Sequence, residues 1–318
     1  MRGGMALAGT LLPMAGSAAV AASGRGGRTW EPPERSPVLE RFYRELMAVE
    51  SLPSAPEVAQ RMLVAINRED VSLRALAVLI ERDQALAARL LRLANSALFA
   101  VRTKVTGIGQ AVTLLGFTRV RDLVLGLSVW GAFEGKTGSG RRYRKQMWQH
   151  TSLVAAAAKL LAERVHLDGS QAFTAGLLHD VGKLVLGMRL GDTYWALLDD
   201  APEMGGAAVA EQQAFGCTHG MVGGWLLQLW GMPPSLVDPV ALHNEPLDPE
   251  YGIDLAAVVA MADRLVLSTD ASSGTARQEV LEQLHAFAPG LLDADTWREI
   301  WAALWKEQQA ITGLFEGT

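Results

Sequence analysis

The sequence predicts an all-α domain of the non-bundle kind, many short helices arranged in two halves. Three observations predict it. From about Pro37 onward, apolar residues recur at spacings of three and four, the period of a helix, rather than two. No sustained alternating run of β-branched residues appears, nor any repeat of fixed period that would mark a solenoid. Of the 318 residues, 49% are hydrophobic and 20% charged, which supplies a buried core and excludes a disordered chain.

The elements follow in order. Arg2 precedes an uncharged run from Met5 to Ser23 that ends in the small residues Ala18 to Ser23, a pattern resembling a secretory signal. Gly9, Thr10, Pro13, Gly16 and Ser17 interrupt it, so it falls short of the roughly 20 apolar residues of a membrane span. Residues 1–37 therefore read as a disordered leader, with export as the alternative. Ala59, Met62, Leu63 and Ile66 form one helical face; Leu73, Leu76, Ala77 and Ile80 form the next, behind an N-cap at Ser72. Asp83 caps a third helix carrying Leu86, Leu90, Leu91 and Ala94, and Asn95-Ser96 can satisfy backbone groups at its end. Gly135 to Gly140, rich in glycine and serine, divides a proximal half (38–134) from a distal half (141–268). The distal half opens with a helix from about Tyr143 to Val165, turns at Asp168-Gly169-Ser170 and resumes at Ala172. After a second break from Ser268 to Gly274, residues 275–318 form C-terminal helices packed on the domain. There Trp297, Ile300, Trp301, Leu304 and Trp305 share one face behind a Thr296/Glu299 capping box, an aromatic stripe that reads as packing surface.

Charge and cysteine narrow the function classes. Lys and Arg number 29 against 34 Asp and Glu, a net charge of −5 that excludes a general positive field for nucleic acid while allowing a local patch. Cys217, the single cysteine, excludes an intramolecular disulfide framework and a cysteine-rich zinc site, and suits a reducing, cytoplasmic setting.

Four of the six histidines, with two aspartates, form an ordered series: His150, His179-Asp180, His219, His243 and Asp263. His166 and His285 stand apart. A lone histidine on an apolar helix is usually a satisfied core residue; an ordered series at predicted helices and their ends is more specific. Imidazole and carboxylate together suit a divalent transition metal, Fe, Mn, Zn, Co or Ni, and a carboxylate can bridge two such ions. His179 and Asp180 sit about 100° apart on a helix, so both address one site only if that helix points partly end-on. Lys183, four residues beyond His179, shares its face and could set an ammonium beside a phosphate. A phosphate-ester hydrolase needs these parts: a metal to activate water, and a cation to offset developing charge.

Leu177-Leu178-His179-Asp180-Val181-Gly182-Lys183 resembles the signature of the HD phosphohydrolase superfamily. Further motifs resemble the proximal half of the HDOD family: Leu52 to Pro56, Asp83 to Leu86, Leu90 to Ala97 and Gln110 to Gly116. The resemblance covers about Leu39 to Ser268. It implies an all-α HD-like fold and a role as an output or scaffolding module in bacterial signalling, in a family commonly thought to have lost catalysis. By the pattern of metal-binding HD proteins, including the HD-GYP cyclic-di-GMP phosphodiesterases, it implies His150 as first metal ligand. His179 and Asp180 follow as the metal-binding pair, then His219, His243 and Asp263, with Asp180 and Lys183 in catalytic roles. Asn244 replaces an expected second histidine, and Asn244 to Gly252 lacks the Gly-Tyr-Pro motif. The resemblance thus leaves one metal ion or two.

Three other features carry weaker signals. Arg141-Arg142-Tyr143-Arg144-Lys145 contains no acid and could draw a phosphorylated ligand, although such runs are commonly solvated faces. Cys217 lies two residues before His219, where helix geometry sets them on different faces, so a buried structural thiol is expected. Gly216 to Gly224 lacks both the Lys-Ser/Thr ending of a P-loop and a preceding strand. The leading expectation is a signalling module that binds a partner protein, a nucleotide or a phosphorylated small molecule, without a membrane. A metal-dependent phosphohydrolase or phosphodiesterase is the alternative. A DNA-binding regulator using Arg82, Arg89 and Arg92 is a third, disfavoured by the net charge.

Overall fold

The computed structural model describes residues 20–21, 27–47, 56–66, 73–96, 99, 103–133, 140–201, 206–270, 274–289, 291, 299–302 and 304. The regular elements among the described residues are helices, apart from one antiparallel pair of two-residue strands, β1 (Val20–Ala21) and β2 (Thr29–Trp30). The all-α expectation holds.

The proximal helices are α2 (Glu57–Ile66), α3 (Leu73–Glu81), α4 (Gln84–Ala94), α5 (Ile108–Leu115) and α6 (Phe117–Ala132). Leu76, Ala77 and Ile80 of α3 point inward as the spacing predicts, but Leu73, assigned to the same face, is 45% exposed at the helix's first position. Asp83 caps α4 by accepting from the Leu86 amide. Asn95 ends it: its Nδ2 donates to the Leu91 and Val105 carbonyls, and its Oδ1 accepts from the Val105 amide. Arg89 is buried, which removes one of the three cations the DNA-binding reading required. The Ser72 cap, the side chains of Leu63 and Ile66, and the linker from Gly135 to Ser139 lie outside the described residues.

Helix α6 joins the two halves. Val120, Leu123, Val124, Leu125, Leu127 and Val129 are all buried on it, which requires neighbours on every side. It has α2, α4 and α5 on one flank and α8 on the other. The buried apolar residues accordingly form one continuous cluster through both halves.

The distal helices are α7 (Arg141–Arg164), α8 (Gly169–Leu178), α9 (Val181–Leu190), α10 (Asp192–Asp200), α11 (Gly206–Phe215), α12 (His219–Leu229), α13 (Pro234–Leu242), α14 (Leu255–Asp270) and α15 (Gly274–Phe287). Small residues set their spacing: a Cβ on Gly176 of α8 would stand 2.9 Å from the Ala155 Cα of α7. Asp168 caps α8 through the Ser170 and Gln171 amides, so the helix resumes at Gly169, earlier than the expected Ala172. Helix α14 likewise runs through Ser268 to Asp270, into the stretch expected as the second break; residues 271–273 lie outside the described residues. Of the aromatic stripe, Ile300 and Leu304 are buried and Trp301 is packed against the core; Thr296, Trp297 and Trp305 lie outside the described residues. No described helix is long and apolar enough to cross a membrane.

Two N-terminal segments depart from expectation. Helix α1 (Pro37–Met47) precedes the proximal half in sequence but packs on the distal one, with Phe42 stacked on Phe215, Tyr43 against Trp225, and the Leu46 carbonyl accepting from Arg189. Residues 27–36, read as part of a disordered leader, form a strap. Arg28 donates to Asp254 through its backbone nitrogen, Nε and Nη2, each at 2.9 Å. Trp30, 3% exposed, lies against Gly224, and its amide donates to Asp238. Burying that indole and completing the Asp254 cluster gives the segment a reason to order.

Candidate metal centre

Six helix ends and faces converge on one cluster. His179 and Asp180 occupy the turn between α8 and α9: His179 is the C-cap of the first and Asp180 the N-cap of the second. The helix expected to run through both residues is interrupted there, and this interruption aims both side chains at one point. Lys183 belongs to α9 and donates to Asp180 Oδ2 at 2.8 Å, rather than lining up with His179 on one helix face. His150 comes from the middle of α7, His219 from the first residue of α12, His243 from the end of α13 and Asp263 from α14. The structure therefore brings together all seven residues named from the sequence.

Gly182 makes the closeness tolerable. A Cβ there would lie 1.9 Å from the His219 carbonyl oxygen and 2.8 Å from the Gly223 nitrogen, both backbone atoms. Only glycine lets α9 and α12 approach so nearly. The glycines from Gly220 to Gly224 serve the same close packing, against Ala241, Val240 and Trp30, and not a phosphate loop.

The cluster divides around Asp180. On the first side His150 Nε2 is 2.9 Å from Asp263 Oδ1 and 3.9 Å from Asp180 Oδ2, while His179 Nε2 lies 3.5 Å from Asp180 Oδ2 and 3.6 Å from Asp263 Oδ1. On the second, His219 Nε2 stands 3.2 Å from Asp180 Oδ1 and 3.2 Å from His243 Nε2. Asp180 thus turns one oxygen to each histidine pair.

The outward nitrogens set the ring orientations. Nδ1 of His179 donates to the Gly176 carbonyl and Nδ1 of His243 to the Val240 carbonyl, both at 2.7 Å. A carbonyl can only accept, so Nδ1 carries the proton and Nε2 faces inward. His219 does the same through Glu211, whose Oε2 accepts from its Nδ1 at 2.7 Å and its backbone amide at 2.6 Å; Tyr194 donates to the other oxygen. Glu211 is fully buried and was not singled out in the sequence. Its one signal is its position eight residues before His219, on a helix that folds back through Gly216-Cys217-Thr218.

The electrostatics call for a cation. Burial would raise Asp180 and Asp263, but the neighbouring histidines, with Lys183 beside Asp180, outweigh it and hold both well below the usual carboxylate range. Burial likewise opposes the charge on Lys183, and the Asp180 carboxylate outweighs it. Burial and the adjacent His179 and His219 push His243 well below an ordinary imidazole, so it is neutral. Burial also opposes charge on His179 and His219, yet Asp180 and Glu211, respectively, outweigh it and raise them, so protons compete for those rings. The carboxylates of Asp180, Asp263 and Glu211 thus share one buried cluster with the Lys183 ammonium, and the Arg264 guanidinium also acts on Asp263. His179 Nε2 and Asp180 Oδ1 are buried without a hydrogen-bond partner among the described residues. Nitrogen and oxygen donors of this kind, converging within 4.8 Å, fit a divalent transition metal.

The neighbouring features resolve more simply. Cys217 is buried, and burial pushes its thiol up to about 12, which leaves it unreactive near neutral pH. In the basic run, Arg144 donates to the Phe133 carbonyl and Tyr143 stacks on Trp195, so part of it holds the helix in place.

Residues 52–246 match the family model described as HDOD domain. Among curated proteins, an uncharacterized protein of Treponema pallidum (strain Nichols) is 26% identical over 229 residues, covering 70% of this chain and 43% of its own length. Ribonuclease Y of Mycoplasma mycoides is 24% identical over 151 residues, 48% of this chain and 29% of its own length. The chain therefore spans less than half the length of these curated relatives. Among solved structures, an HDOD domain protein of unknown function from Geobacter sulfurreducens superposes with a TM-score of 0.68 at 26% identity, covering 88% of this chain and 98% of that one. A provisionally named phosphohydrolase from Shewanella amazonensis SB2B gives 0.66 at 28% identity with the same coverage.

Proposed function

Since the chain belongs to the HDOD family and its histidines meet Asp180 in two groups able to hold a metal ion, we propose that it is a metal-dependent phosphoester hydrolase working in signal transduction. The observation that carries this reading is Asp180, whose oxygens face two histidine pairs while a buried inward nitrogen, His179 Nε2, has no hydrogen-bond partner among the described residues. His150, His179, Asp180 and Asp263 would hold the ion, with His219 and His243 on the far side of the shared carboxylate. When bound, the ion supplies Lewis acidity toward a phosphoryl oxygen and lowers the pKa of water. Lys183, kept charged by Asp180 and partly exposed at the edge of the cluster, places an ammonium where phosphoryl charge develops. Glu211 fixes the orientation of His219 through its Nδ1.

The test is metal content and turnover of protein purified without a histidine tag, using bis(p-nitrophenyl) phosphate as a generic phosphodiester. RNA belongs in the following panel, because curated relatives are named ribonuclease Y. Stoichiometric Mn, Fe, Co, Ni or Zn and turnover are expected, both lost in His179→Ala; a variant that kept full turnover would sink the reading.

A second role, docking a signalling protein on the proximal half, is favoured by Leu73, Val78 and Leu114, which are 45–48% exposed on the packed helices α3 and α5. Val78→Glu with Leu114→Glu should then leave hydrolysis unchanged while failing to complement a deletion strain.

A further inference from the structure

The two sides of the Asp180 carboxylate are not equivalent, and the difference lies in Asn244. Its Nδ2 is 2.9 Å from His219 Nε2, in hydrogen-bond contact with the ring nitrogen that faces the cluster. A transition metal sits about 2.1 Å from an imidazole nitrogen. An ion bonded to that nitrogen would crowd the amide, a group that carries no lone pair for it, so one of the two must give way. The steric conflict is the same whether or not His219 Nε2 holds a proton. His219 is thereby held at both nitrogens, by Glu211 at Nδ1 and Asn244 at Nε2. On the first side the groups facing the ring nitrogens are carboxylate oxygens, which can themselves bind an ion: Asp263 Oδ1 is 2.9 Å from His150 Nε2, and Asp180 Oδ2 is 3.5 Å from His179 Nε2, which has no hydrogen-bond partner among the described residues.

We propose that Asn244 is a latch that closes the His219/His243 side to metal, so that the centre takes a single ion on the His150/His179 side. This rests on the reading of the cluster as a metal centre. Asn244 is half-buried just past the end of α13, and its amide packs beside Gly220.

The experiment is titration of the full chain with Mn2+, counting bound equivalents by calorimetry and elemental analysis, with thermal melting to verify the fold. The wild type should bind one equivalent. Asn244→Ala should bind two, and Asn244→Asp, which keeps the side-chain volume and adds an anionic donor, should also bind two. Adding His219→Ala to Asn244→Ala should return the count to one. Two equivalents in the wild type, or one in both folded Asn244 variants, would overturn the latch while leaving the metal centre standing. No bound Mn2+ in any form would overturn the metal centre and the latch with it.

Discussion

The proximal helices enclose Leu76, Ile80, Leu90 and Val112, whereas the distal helices enclose His179, Asp180, Glu211, His219 and His243 at the same depth of burial. Apolar burial stabilises whatever the solvent contains, at about 25 cal/mol per Å² of surface. Buried ionisable groups cost several kcal/mol each in desolvation and recover it only through partners of the right charge and geometry. The distal half, where such groups gather at one point, is therefore the more dependent on protons and cations, although the proximal half buries Arg89 and Asp122. Helix α6, shared by both, is where the proximal half can support the distal one.

Three substitutions would break or sharpen that contrast. The largest effect is expected from Gly182→Ala, because the added methyl meets the His219 backbone and must drive α9 and α12 apart. Stoichiometric metal binding should disappear, and the apparent melting temperature should lose its dependence on added metal. Leu90→Ala, at a fully buried proximal position, should cost about 4 kcal/mol in urea unfolding while leaving metal affinity unaltered. A tenfold change in that affinity would show that the two halves are not separable in this way. Arg28→Ala should cost about 3 kcal/mol, since it strands the buried Asp254 carboxylate. This pair is the distal half's counter-example, a buried charge answered inside the chain and indifferent to added metal.

The same pair sets a pH dependence. Burial would raise Asp254, but the hydrogen bonds from Arg28 outweigh it and hold its carboxyl below the ordinary value. A carboxyl depressed in the folded state contributes stability that is complete above its unfolded pKa, about 3.9, and is lost as pH falls through the folded value. Acid unfolding curves of the wild type and Arg28→Ala should therefore converge at low pH and separate above about pH 4.

How much of this was legible in the sequence depends on the kind of signal each residue leaves. His150, His179, Asp180, His219, His243 and Asp263 were readable because histidines are few in the chain and their order is distinctive. Helices α2, α3 and α4 of the proximal half were readable from period and capping residues. Glu211 was not, because a glutamate beside two glutamines looks like any solvated helix position until α11 folds back on α12. The break between His179 and Asp180 was also hidden, since Leu177 to Leu184 carries no residue that forbids a continuous helix. Arg28 and Trp30 sit in a glycine- and proline-rich stretch whose composition argues for disorder; their partners Asp254 and Gly224 are some 200 residues away, beyond the reach of any local pattern.

The strap and helix α14 have a practical corollary for anyone dissecting the molecule. The segment matched to the family ends at residue 246, before Asp254 and Asp263, and begins at residue 52, after Arg28, Trp30 and α1. A fragment cut at those borders would retain every histidine of the cluster. It would lack the carboxylate 2.9 Å from His150, and both ends of the clasp that anchors the N-terminal segment at the start of α14. Such a fragment could fold and still be inert, and its silence would reflect the cutting rather than the chain.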